Sequence, residues 1–153
     1  MGPEVANALH LTLLERGETV GCAESLTGGE LAALLSGTPG ASSTFVGGVV
    51  TYATRIKREV LGVTAESVVS ADCATQMAAG VRHLLGVDWA LATTGVAGPD
   101  RQEGQAVGTV YVGMAGPWGV RSARLALEGD RATIRRDTCT AALRQLLAEA
   151  SRG

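Results

Sequence analysis

Residues 21–37 read GCAESLTGGELAALLSG. The segment passes from an apolar run through Ala-Glu-Ser and Thr-Gly-Gly into a helical pattern. Residues 19–23 are short, apolar and partly β-branched, which predicts a strand. Residues 28–35 then predict a helix. A helix start leaves four N–H groups without intrahelical partners, and the helix dipole adds partial positive charge there. The junction therefore suits an anion or an oxyanion, and Gly28 and Gly29 let a ligand approach the backbone closely. Ser25 or Thr27 serves equally well as an ordinary N-cap. The segment is no Walker loop, because no lysine follows the glycines. It is no Gly-x-Ser-x-Gly elbow either, because Glu24 and Leu26 flank Ser25.

The same alternation continues outward. Val5, Ala8, Leu9 and Leu13 predict a helix over 4–16 that Gly17 ends. A second strand is expected over 45–52 and a short helix over 53–62. Ser70 is placed to cap a helix over 71–86. Residues 88–95 read as a buried strand that opens into a polar, Gly-rich loop, 96–106. Residues 107–129 read as two strands joined by a tight Gly116-Pro117-Trp118-Gly119 turn, with Trp118 exposed at the tip as a candidate subunit contact. A long helix over 131–150 closes the chain, with Ile134, Thr138, Ala141 and Leu143 to Leu147 on its inner side. Helix–strand alternation followed by a hairpin predicts one α/β domain over 1–153, a three-layer α/β/α arrangement around a mixed sheet. Ligands in such folds sit where loops leave strand ends, here 24–29, 52–57 and 94–104.

Composition limits the function classes. At 153 residues and 46% apolar content, the chain can bury one core. Its formal charge of −2 disfavours a general nucleic-acid binder. The Met-Gly-Pro-Glu opening has no basic-then-apolar leader, and no long uncharged span follows. The expectation is a soluble, cytoplasmic domain with no membrane or nucleic-acid partner. Cys22, Cys73 and Cys139 are far apart, which fits reduced thiols and gives no metal site.

A serine nucleophile needs a base. His10 and His83 both fall inside predicted helices and read as structural or surface residues, which disfavours a Ser-His-Asp triad. Lys57 is the sole lysine in the chain, and the other basic side chains are arginines. Arginine stays protonated, whereas a lysine whose pKa is lowered by burial or by neighbouring cations can accept a proton. Arg55 and Arg58 flank Lys57, and Tyr52 stands just before it at the strand end. Arg131 and Arg135, four apart at the start of the last helix, share one face and suit a phosphate. A lysine on a charged helix face, a tyrosine at a sheet edge and a solvated basic face are the plainer readings of these residues.

AESLTGG (23–29), TYATRIK (51–57), TTGVAGPD (93–100), VGTVYV (107–112) and GDRATIRR (129–136) occur in that order. In this order the five motifs resemble the C-terminal domain of the competence-damage-inducible protein CinA, a family whose stand-alone members are nicotinamide-nucleotide amidohydrolases. The resemblance covers nearly the whole chain. It implies hydrolysis of the carboxamide of nicotinamide mononucleotide to nicotinic acid mononucleotide and ammonia, without metal or organic cofactor. It further implies Ser25 as nucleophile and Lys57 with Tyr52 as the base system. On that reading Thr27, Gly28 and Gly29 lie near the oxyanion, Thr94, Gly95 and Gly98 line the ribose or pyridine site or simply make a turn, and Arg131 or Arg135 holds phosphate. A homo-oligomer is expected by the same resemblance. Two other readings stand beside it: a non-catalytic pyridine-nucleotide-binding or regulatory module, and an amidase for another small amide. The sequence departs from the family pattern at Leu26, at Arg101 and Gln102, and at Ala106, so the loop over 100–106 is expected to differ in shape. The role of Glu24 stays open, between holding a cation and orienting the loop.

Overall fold

The computed structural model describes residues 1–152. Its elements run α1 (Gly2–Arg16), β1 (Val20–Glu24), α2 (Glu30–Ser36), a 3-10 turn (Ala41–Ser43), β2 (Phe45–Val50), α3 (Thr54–Leu61), α4 (Ala71–Leu85), β3 (Trp89–Gly95), β4 (Thr109–Gly116), β5 (Gly119–Ala126) and α5 (Arg131–Ala150). The sheet order is β2-β1-β3-β4-β5. β1 is parallel to both β2 and β3, while β4 and β5 are antiparallel additions. The expected mixed sheet in a three-layer α/β arrangement is what the chain adopts.

One apolar cluster joins α1, α2 and α5 to one sheet face, around Leu9, Leu13, Leu91, Ile134 and Leu143. A second joins α4 to the other face, around Met77, Val81, Ala90 and Ala92. β3 is buried at every residue, as a central strand covered on both sides must be. α4 packs tightly on the sheet because Gly113 has no side chain; a Cβ there would stand 2.1 Å from the Ala74 carbonyl oxygen.

Several boundaries move from the sequence reading. α2 begins at Glu30 rather than at residue 28, because Gly28 and Gly29 take φ values of +58° and +111°. β2 ends at Val50, so Thr51 and Tyr52 belong to the loop beyond it. On α5 the buried residues are Ile134, Thr138, Cys139, Thr140, Ala142, Leu143, Leu146 and Ala150. Ala141 and Leu147 are only half-buried and Arg144 is exposed, since a 3.6-residue repeat carries the inner face through 142, 146 and 150. Trp118 does sit at the hairpin tip, yet its ring folds onto Trp89 in an edge contact, with centroids 6.0 Å apart. The Arg121 guanidinium covers it at 4.1 Å. His10 bonds Thr44 Oγ1 in the interior and His83 is exposed, in line with their structural and surface readings. Among the described residues no helix is long and apolar enough to cross a membrane.

Candidate active site

The carboxyl ends of the parallel strands converge. Ser25 follows β1 directly, and its N–H donates to Thr93 O at 3.0 Å. Thr51 and Tyr52 follow β2, and Gly95 ends β3. A pocket of about 350 Å³ opens here, lined by Ser25, Leu26, Tyr52, the segment 95–102 and Arg131.

Glu24 organises the base of this site. Its carboxylate is 1% exposed. Oε1 accepts from Thr27 Oγ1 (2.6 Å), Gly29 N–H (3.1 Å) and Leu31 N–H (2.8 Å), and Oε2 accepts from Ala32 N–H (3.0 Å). The anion at the α2 N-terminus is thus the chain's own carboxylate. Neither Ser25 nor Thr27 is the N-cap residue; that position is Gly29. Glu24 therefore orients the loop and holds no cation. Thr27 is fully buried and also bonds Thr93 Oγ1 at 2.8 Å, so its side chain faces away from the pocket.

Freed from capping, Ser25 faces Lys57. The lysine lies on the inner side of α3 and is 1% exposed. Its Nζ donates to Ser25 Oγ at 2.8 Å, to Thr51 O at 2.7 Å and to Tyr52 O at 2.9 Å. Burial pushes the Lys57 ammonium below the ordinary lysine value, while the neighbouring Cys73 and Glu103 act the other way. The two peptide oxygens can take two N–H groups of a neutral amine. The third tetrahedral direction then points a lone pair at the Ser25 hydroxyl.

The remaining predicted residues divide into two groups. Gly95, Gly98, Tyr52 and Arg131 line the pocket. Arg131 donates to Gly98 O and to the Tyr52 hydroxyl, the latter at 2.8 Å. The Tyr52 phenol therefore bonds Arg131 rather than Ser25 or Lys57, and it is the Tyr52 peptide oxygen that reaches the amine. Thr94 is turned inward, donating to Val68 O. Arg135 is drawn away from the pocket, donating to Thr27 O at 3.2 Å and pairing with Glu30 at 3.4 Å. It crosses over Gly28, where a Cβ would stand 2.8 Å from its Nη2. Gly28 N–H bonds Ser25 O, so Gly28 and Gly29 spend their donors within the loop.

The fold and the pocket define a three-layer α/β domain with a serine and a buried lysine in contact at the strand ends. The chain belongs to the CinA C-terminal domain family, which its residues 3–150 match. It is 49% identical over 136 residues to a CinA-like protein of Frankia casuarinae, covering 86% of this chain and 31% of that protein. A CinA-like protein of Synechococcus elongatus is 42% identical over 150 residues, 93% of this chain and 36% of its own length. The chain thus spans about a third of the length of the curated relatives it matches. Among solved structures, a CinA superfamily protein from Klebsiella pneumoniae superposes with a TM-score of 0.96 at 31% identity, covering 100% of this chain and 99% of the other. The competence/damage inducible protein CihA of Agrobacterium tumefaciens gives 0.91 at 33% identity, covering 96% and 94%.

Proposed function

We propose that this domain is a cytoplasmic amidohydrolase that converts nicotinamide mononucleotide to nicotinic acid mononucleotide and ammonia. The observation that carries this reading is the 2.8 Å contact between Ser25 Oγ and the buried Lys57 amine. Ser25 Oγ attacks the amide carbon as the neutral Lys57 takes its proton. The tetrahedral oxyanion falls to the N–H group of Leu26, which lines the pocket and has no backbone acceptor among the described residues. The C–N bond then breaks, and the proton on Lys57 leaves with ammonia. Water attacks the resulting acyl ester, giving its proton to Lys57, and the serine oxygen regains a proton as the acid departs.

No metal or organic cofactor enters these steps. Arg131, exposed at the pocket mouth, takes the phosphate in this scheme. The family resemblance favours a homo-oligomer, which a sizing measurement tests. The activity is tested by ammonia release from the mononucleotide, with nicotinamide and nicotinamide riboside as controls and Ser25→Ala as the inactive variant. Ser25→Ala should fold and release no ammonia. Binding of the mononucleotide without release by the wild type would instead support the non-catalytic nucleotide-binding module.

A further inference from the structure

Arg101 and Gln102 of the pocket lining lead into a tight turn. Gln102 and Gln105 pair as an antiparallel bridge, with Gln105 N–H donating to Gln102 O at 2.8 Å. The two residues between them, Glu103 and Gly104, have φ values of +52° and +73°. Two positive φ values in a two-residue turn mark the type I′ geometry, which favours Asn, Asp or Gly at its first position. Glu103 is the sole non-glycine with positive φ among the described residues.

Its side chain makes up for that conformation. Glu103 Oε1 accepts from Ser67 Oγ at 2.7 Å and from Val69 N–H at 2.9 Å, and Oε2 accepts from Val68 N–H at 3.2 Å. Residues 67–69 are in turn fixed to the end of β3 through Thr94 Oγ1 and Val68 O. The turn is therefore clipped to the sheet by one carboxylate.

The clip holds Arg101, which lines the pocket beside Gln102. Arg101 Nη2 donates to Gly104 O at 2.9 Å, so the turn orients the guanidinium by its own backbone. Among the described residues the rest of that planar fork has no partner, and it suits an anionic oxygen cluster. Arg101 and Arg131 are the two arginines of the pocket lining, and Asp100 is its one carboxylate.

We propose that residues 101–105 form a specificity element in which Arg101 joins Arg131 in binding the phosphate end of the substrate and Glu103 is the positioning residue. This rests on the activity proposed above. The test compares kcat/KM for nicotinamide mononucleotide with that for nicotinamide riboside in the wild type, Arg101→Gln, Glu103→Ala and the double variant. Loss of a charge-assisted contact should cut the ratio by about tenfold in Arg101→Gln. Glu103→Ala should cut it similarly, mostly through KM, and the double variant should fall no further. Should Glu103→Ala fail to fold, Ser67→Ala weakens the same clip from the other side. An unchanged ratio in Arg101→Gln, or an equal loss for both substrates in Glu103→Ala or Ser67→Ala, overturns the proposal. If the wild type hydrolyses neither substrate, the activity reading fails by itself. Calorimetric titration of the same variants with nicotinic acid mononucleotide and its riboside then decides the specificity element. A phosphate-dependent affinity that Arg101→Gln loses upholds it; equal affinities in wild type and variant overturn it.

Discussion

Lys57 Nζ lies 2.8 Å from Ser25 Oγ, and the lysine is 1% exposed. Ser25 at the exit of β1 and Lys57 on α3 are 32 residues apart in sequence, and the parallel β1–β2 pair brings them together. A buried amine in contact with a hydroxyl acts as a base only in its neutral form.

Activity should therefore rise with pH along an acid limb that reports Lys57, with its midpoint below the ordinary lysine range, because burial lowers that pKa. Lys57→Arg keeps the positive charge but cannot release it. Turnover in that variant should drop by at least about a hundredfold, as expected for loss of a general base. Stopped ammonia assays across pH check both outcomes.

The same shift links stability to pH. The folded-state pKa of Lys57 lies below its unfolded value, so between the two the unfolded chain binds more protons. The cost of burying the ammonium is fully present below the folded pKa. It is relieved as pH rises through that pKa towards the unfolded value. Urea unfolding of the wild type, compared with Lys57→Met at a series of pH values, should show the wild type gaining relative stability as pH rises.

Glu24→Gln should destabilise the domain by about 2 kcal/mol, the cost of facing buried N–H donors with another donor. All the groups around the Glu24 carboxylate that hydrogen-bond to it are donors, so one end of a glutamine amide must be mispaired. Chemical denaturation measures this, and turnover should fall as the Ser25 loop loosens.

Tyr52→Phe removes a hydroxyl that accepts from Arg131 at 2.8 Å. The expected effect is a rise in KM with less than about a tenfold loss of kcat, since general acid–base groups contribute about a hundredfold or more. A larger loss of kcat would assign the phenol to proton transfer.

Gly113→Ala places a Cβ 2.1 Å from the Ala74 carbonyl oxygen, a backbone atom of α4. Overpacking against backbone should cost about 3 kcal/mol in urea unfolding, without any change in the side chains of the pocket.

The layer arrangement is legible in the sequence. Helix–strand alternation with a terminal hairpin gives the layer arrangement, and a chain with one lysine offers few candidates for a base. Glu24 was not legible, because capping rules look to the residue just before a helix. Here the carboxylate acts from the end of a strand, reaching Ala32 eight residues ahead. Arg135 shares a helix face with Arg131, and their spacing suggests one ligand. The missing Cβ of Gly28 instead opens a route back to Thr27 O, and helical periodicity carries no trace of that. The clip made by Glu103 depends on residues 67–69 arriving from another element, so a motif search along the chain passes over it.

The amine of Lys57 is tethered by the carbonyls of Thr51 and Tyr52, which are parts of the main chain. Every amino acid supplies that oxygen. Substitutions at 52 can reshape the pocket lining while the tether survives, so the placement of the amine is independent of the side chain that faces the pocket.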